Sequence, residues 1–402
     1  EGEGSGDIFN LGDNAEVRAD GPGGAAVFDG NLRVYTESLG DDESTTVYTG
    51  SGKAFVDADS TNPVKGHVDI FAGALTDSGT SGDLTLEGDA TFNVRELAGD
   101  LDASAVTAFN PTDDENIDNS ATAQVYVETA ADAGDSSNPI TIQAGGQITA
   151  VDAKGSSGDV DIDLSATPNL FLTGEAAVSV RSLTQQSVIY ADATRLSAYD
   201  SRGMTFGETP LAGDLEVFAG SEDLRLWTGS SERTFVSGDG NVFIQANAAT
   251  DFANASDRAG DAVIELAGGM AAQVNELSGY VDATNLTGTL DINVGKSDLA
   301  GNLTTAVPDE AFVDTGTNNT TIDAVTGYDE TVDIDATVLA DGNQLALSGD
   351  ATYVVTGLVG DATIDDGNGN ATLTLGDVSG VGDIVIDTDR TTTIDAAGMG
   401  TE

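Results

Sequence analysis

The chain of 402 residues has no cysteine, one histidine and one tryptophan, and only 14 Lys+Arg stand against 69 Asp+Glu. Each scarcity excludes something. Without cysteine there is no disulfide framework and no thiolate chemistry. A single histidine, His67, leaves no His pair for a transition metal and no nucleophilic triad of the usual kind. A formal net charge of -55 excludes nucleic acid as a partner, because a polyanion is repelled by such a surface. Anionic membrane is disfavoured for the same reason. Apolar runs are only a few residues long, so no membrane insertion through a helix is expected. Helix signals are nearly missing as well, since apolar residues do not recur at spacings of three and four. The chain opens on Glu1 and not on Met, the form expected of a processed product or a piece of a longer chain.

Hydrophobic residues make up 39%, which is enough for buried cores, and 50 glycines cut the chain at short intervals. The cuts follow a pattern: Gly, then usually Asp or Asn, then an apolar residue at every second position. Copies open at Gly30, Gly66, Gly82, Gly158, Gly213, Gly240, Gly260, Gly288, Gly369 and Gly382. Gly and Asn/Asp tolerate the backbone of a tight turn, and apolar residues two apart share one face of a strand. Each copy therefore predicts a turn followed by a strand with one buried face. His67 falls in the turn position of its copy and is expected to face solvent.

Two longer patterns overlie the short one. Leu86, Gly88 and Ala90 have counterparts in Leu172, Gly174 and Ala176 and in Leu347, Gly349 and Ala351, with Leu266 and Gly268 in the same register. The anchor leucines Leu86, Leu172, Leu266 and Leu347 recur at comparable intervals, and self-similarity of that kind implies a repeated unit. A "VDA" or "IDA" step also recurs, at Val56-Asp57-Ala58, Val151-Asp152-Ala153, Val281-Asp282-Ala283, Ile322-Asp323-Ala324 and Ile394-Asp395-Ala396. The expected fold is all-β: a right-handed parallel β-solenoid, or β-helix, of stacked rungs. The alternative is a row of tandem β-sandwich domains of about 80–95 residues. Frequent glycines and only 5% aromatics favour the solenoid. On that reading residues 1–402 form one continuous repetitive body, with N-terminal rungs over 1–64 and repeat units near 65–150, 151–250, 251–330 and 331–402.

The acidic excess is spread along the whole chain. Like charges at this density oppose compaction unless cations neutralise them, either divalent ions at chosen carboxylates or a salty medium. Both settings point outside an ordinary cytoplasm. Calcium, which takes six to eight oxygen ligands, is the expected cofactor. The densest candidate site is Asp365, Asp366, Asn368 and Asn370 with Asp377 further along; its spacing resembles an EF-hand loop, although Ala371 stands where that loop has glycine. Further candidates are Asp41, Asp42 and Glu43; Asp113, Asp114 and Glu115; and Asp100 with Asp102.

The segments Leu86 to Ser104, Glu276 to Gly295 and Leu347 to Ile364 resemble the repetitive regions of type I-secreted bacterial surface proteins, S-layer proteins and RTX adhesins among them. That resemblance implies an extracellular, cell-surface, calcium-dependent protein without catalysis that assembles with copies of itself. The calcium nonapeptide of RTX proteins is only partly matched. Around Gly367, Gly369 and Leu373 its aspartate position holds Ala371, and around Gly238, Gly240 and Ile244 it holds Val242.

The middle third differs from the rest. Arg181, Arg195, Arg202, Arg225 and Arg233 gather there with Phe206, Phe218, Trp227 and Phe235. Such a stretch is either a locally different core or a contact surface for a neighbouring subunit or a cell-surface glycan, since Arg and aromatics concentrate at binding hot spots. The main expectation is thus a non-enzymatic structural protein forming a surface layer, filament or adhesive structure. The alternative is a carbohydrate-binding or polysaccharide-lyase β-helix acting through those arginines.

Overall fold

The computed structural model describes residues 6–8, 15–18, 32–39, 44–49, 52–60, 67–73, 75, 84–107, 125–130, 139–146, 148–154, 159–166, 169–183, 187–191, 211, 214–228, 233–246, 263–277, 280–294, 310–324, 331–340, 343–349, 351–358, 361–365, 370–374, 384–387 and 392–395. Among these the regular elements are strands, from Gly6–Ile8 to Thr392–Asp395, and no helix is present that is long and apolar enough to cross a membrane. The chain divides into two compact units, Glu1–Leu215 and Glu216–Glu402.

Each unit is a parallel β-solenoid. A strand does not pair with its successor in sequence; it pairs in parallel with the next but one, so successive strands alternate between two sheets. In the first unit Leu32–Leu39 pairs with Ala54–Ser60 and that with Leu84–Gly88, while the intervening Ser44–Tyr48, His67–Phe71 and Thr91–Leu97 build the other sheet. In the second unit Glu310–Asp314, Thr331–Asp335 and Thr352–Thr356 stack in one sheet, and Thr320–Ala324, Gln344–Gly349 and Asp361–Asp365 in the other. The tandem sandwich is thereby excluded, because it requires antiparallel neighbours.

The glycine-led copies are all followed by strands, as the alternation predicts. Val68 and Ile70, Leu84 and Leu86, Val160 and Ile162, Val242 and Ile244, and Leu290 and Ile292 are all buried. Stacking then aligns such residues into columns. One runs Leu226, Ile244, Val274, Ile292, Ile322 and Leu347, each buried and each directly above its partner in the preceding coil. Burying each such side chain contributes roughly 1.5–3 kcal/mol, and no coil keeps that contribution without its neighbours.

Coil length is irregular, which hides the period. Leu84 pairs with Leu101, and Leu101 pairs in turn with Ile142, more than twice as far along the chain. The four anchor leucines consequently do not mark four copies of one long unit. Leu86 and Leu266 lie in one kind of sheet and Leu172 and Leu347 in the other. What they mark is a corner. Gly88, Gly174, Gly268 and Gly349 all have positive φ, between 91° and 107°.

The corner also accounts for the "VDA" step. Val56, Asp57 and Ala58 pair with Leu86, Glu87 and Gly88; Val151, Asp152 and Ala153 with Leu172, Thr173 and Gly174; Ile322, Asp323 and Ala324 with Leu347, Ser348 and Gly349. The carbonyl of Ala58 accepts the N–H groups of both Asp89 and Ala90 at 3.1 Å, and that of Ala153 accepts those of Glu175 and Ala176 at 2.9 and 3.0 Å. The glycine sits so close over this carbonyl that a Cβ at Gly349 would lie 1.9 Å from the Ala324 oxygen. Two motifs that are unrelated along the chain are therefore the lower and upper halves of one stacked corner.

Threonine closes strands in a similar way. Thr49, Thr107, Thr287 and Thr317 each give both their N–H and their hydroxyl to one carbonyl of an adjacent coil, at Phe71, Gly88, Gly268 and Leu286 respectively. The corner generates a test. Gly349→Ala combines a disfavoured φ with the clash on Ala324 and should lower unfolding stability by at least about 2 kcal/mol. At Gly220 (φ 60°) a Cβ meets nothing within 4 Å, so Gly220→Ala should cost only about 1 kcal/mol, the left-handed backbone alone. Urea titration of the two variants measures the difference.

Candidate functional site

The expected calcium ligands are divided by the fold. Asp41, Asp42, Glu43, Asp113, Asp114, Glu115, Asp366, Asn368 and Asp377 lie outside the described residues. Asp365 ends a strand that pairs with Gln344–Gly349, and Asn370 begins one that pairs with Thr352–Thr356, so the two stand in different sheets. Asp100 and Asp102 have structural work. An oxygen of Asp100 accepts the Thr141 N–H at 2.8 Å, from a later coil. Asp102 accepts the N–H and hydroxyl of Ser104 at 3.0 and 2.6 Å. Asp282 does the same for Thr284, and Asp163 and Asp335 cap the N–H of Ser165 and Thr337. The Asp-x-Ser/Thr step is a side-chain turn, which explains why acids recur at strand ends. Among the described residues no three His, Asp or Glu side chains converge as a metal site would require.

The fold also stacks acids in columns. In the second unit Glu265, Asp282, Asp314 and Asp335 occupy one register position in four successive coils. Each has a local partner: Arg233 clasps Glu265, Thr284 bonds Asp282, the Tyr280 hydroxyl donates to Asp314, and the Thr337 N–H caps Asp335.

Two polar clusters in the first unit escaped the sequence reading. His67 is not in a solvent-facing turn: it begins a strand, is half-buried, and places Nε2 3.5 Å from Asp69. Asn93 and Arg95, one coil on, complete the group, with Asn93 Nδ2 donating to Asp69 at 3.0 Å and Arg95 3.6 Å away. Burial pushes the Asp69 carboxyl up, but hydrogen bonds from His67 and Asn93 and the charges of His67 and Arg95 outweigh it and hold it below the usual range. The second cluster surrounds Asp152, only 4% exposed, which accepts from Thr173 at 3.3 Å. Lys154 lies 3.7 Å from it and 2.8 Å from Glu128. Here burial dominates and raises the Asp152 carboxyl above its ordinary value, against the pull of Lys154.

The Arg and aromatic stretch proves to be surface. Along Leu215–Gly220, Leu224–Trp227, Arg233–Gly238 and Asn241–Gln245 the apolar positions Val217, Leu226, Val236 and Ile244 are buried. Phe218, Trp227, Phe235 and Phe243 fall on the opposite, outward phase. A locally different core is thus excluded for these residues. Most of the described arginines there are spoken for: Arg233 grips Glu265 with two bonds at 2.9 and 2.7 Å and lies 3.4 Å from Glu216, and Arg181 pairs with Asp161 at 3.1 Å. Arg225 is exposed and has no ion pair among the described residues. Arg195, Arg202 and Phe206 lie outside the described residues. Phe243, which falls in the turn-strand copy opening at Gly240 but not in the aromatic group named from the sequence, was detectable as a member of that group, since it alternates with Val242 and Ile244. Comparison with protein-family models, with curated proteins and with solved structures returns no match to this chain.

The half-buried Asp69 and the buried Asp152 should behave oppositely with pH. For Asp69, depressed in the fold, the stabilisation is present above the ordinary carboxylate range and is lost as pH falls through its folded value. Asp69→Asn should therefore lower the melting temperature at pH 7 and converge with the parent in acid. For Asp152, raised in the fold, the charged form opposes folding above its folded value, and the cost disappears on protonation. Asp152→Asn keeps an acceptor for Thr173 and should raise the melting temperature at pH 7, with the gain shrinking as pH drops. Melting curves from pH 3 to 8 check both signs.

Proposed function

We propose that the protein is a non-enzymatic structural protein of the cell exterior, a repetitive solenoid that associates with copies of itself when cations, calcium foremost, neutralise its acidic faces. The observation that carries this reading is the acid column Glu265–Asp282–Asp314–Asp335. Strands lie ~4.8 Å apart, and unit charges ~5 Å apart repel by roughly 1 kcal/mol in water and about 3 kcal/mol at an effective dielectric of 20. These positions are half-exposed, which places the repulsion toward the lower figure. Repeated along a chain of net charge -55, even the lower figure favours a medium rich in cations. A divalent ion has a further role, since it can join carboxylates of two copies that would otherwise repel.

The surface-layer, filament and adhesin proteins that the repeats resemble suit this reading, as does the regular stacking, which makes each coil face a template for another. The described arginines whose partners are carboxylates tie one coil to another, as a scaffold requires.

Sedimentation velocity and negative-stain electron microscopy in dilute buffer test the proposal. Millimolar CaCl2 should produce assemblies that EDTA dissolves, and micromolar calcium should raise the melting temperature more than an equal ionic strength of NaCl. Uniform monomers with and without chelator would refute self-assembly through divalent ions. A melting temperature that responds only to molar NaCl would leave bulk screening as the sole role of cations.

A further inference from the structure

We infer that the outward face built by Arg225, Trp227, Phe243, Gln245, Gln273 and Asn275 binds a neutral glycan. This lies beyond the scaffold role and does not depend on calcium. The strip belongs wholly to the second unit. Arg225 pairs in register with Phe243 and Trp227 with Gln245; one coil further, Phe243 lies beside Gln273 and Gln245 beside Asn275. Two adjoining columns result, Arg225–Phe243–Gln273 and Trp227–Gln245–Asn275, spanning three coils or ~10 Å. The rings of Trp227 and Phe243 meet at 6.2 Å between centroids with their planes 52° apart, a tilted pair whose two ring planes face different directions.

The chemistry of the strip is unlike that of the chain around it. The protein carries -55, yet all six of these side chains are neutral or cationic. Arg225 and Gln273 are exposed, and the other four are half-buried. Asp223, two residues before Arg225, is occupied: it accepts the N–H of Asn241 at 3.0 Å and its Nδ2 at 2.9 Å. The strip ends at Asp291, which pairs with Gln273 in the following coil. Asn275 is held by Asn293, whose Nδ2 donates to its Oδ1, leaving the Asn275 amide donors directed elsewhere.

Such a surface offers what a sugar requires. Aromatic faces carry partial negative charge and receive the polarised C–H face of a pyranose. Side-chain amides donate and accept at once, matching hydroxyl groups, and Arg225 adds donors without an acceptor to repel an oxygen. Without bridging cations a second copy of the chain is the poorer occupant, because its own charge of -55 would meet a chain of the same charge. An acidic polysaccharide meets that same repulsion, so the occupant is a neutral chain.

The single tryptophan makes the test specific, since all indole emission comes from Trp227. Cellohexaose, laminarihexaose, chitohexaose and mannohexaose are titrated separately into the protein in EDTA, with oligogalacturonate as the acidic comparison. At least one neutral oligosaccharide should shift the emission saturably, and Phe243→Ala or Arg225→Ala should weaken its binding about tenfold. Both residues face outward, so their circular dichroism and melting curves should match the parent. No response to any of the four neutral sugars, or a response to oligogalacturonate alone, overturns the inference. A concentration-dependent emission shift without sugar that Arg225→Glu abolishes overturns it in favour of an interface between copies.

Discussion

Parallel, in-register stacking of coils is the constraint on which the rest of this structure depends. Once one strand lies directly over the next of its sheet, every side chain is placed above the residue at the same position one coil earlier. Apolar residues then form continuous columns, such as the one from Leu226 to Leu347. Rings do the same: half-buried Tyr48 and Phe71 stack at 4.6 Å, with Arg95 5.7 Å from the Phe71 centroid, and buried Phe171 stacks on Tyr190 at 4.6 Å. The backbone imposes the spacing, and side chains that gain from contact at that spacing reinforce it.

The same geometry makes acidity a liability. In a helix or an irregular surface, neighbouring acids can splay apart; in a ladder they return at each coil. The protein offsets this locally, by turning aspartates into caps for Ser and Thr and by setting Arg233 and Arg181 across coils from their acids. With 14 basic residues against 69 acidic ones, such pairing cannot neutralise the chain, and the remainder falls to ions from solution. The proposed calcium dependence and the proposed scaffold role are linked through this deficit.

Against that acidic background the Arg225 and Trp227 strip is distinctive because its members all point outward and leave negative charge out. Its position follows from the same two-residue alternation that buries Leu226 and Ile244. The proposed recognition surface and the core are thus two faces of the same strands, which lets the outer face vary while the inner column is preserved.

Local periodicity was enough to determine the strand starts, the buried phase of each strand and the absence of helical patterning, because these depend only on residues within one turn and one strand. The turn-strand copies at Gly66, Gly82, Gly158 and Gly288 show this directly. Partnership between coils could not be read that way. Coil lengths differ more than twofold and separate stacked positions by irregular distances, so the union of the "VDA" step with the Leu-x-Gly corner, and of Arg233 with Glu265, exists only in three dimensions. His67 was misplaced for the same reason: its turn-like context is local, while Asp69, Asn93 and Arg95 reach it through strand phase and stacking. The apparent long repeat was a corner recurring in both sheets, a distinction that only backbone pairing decides.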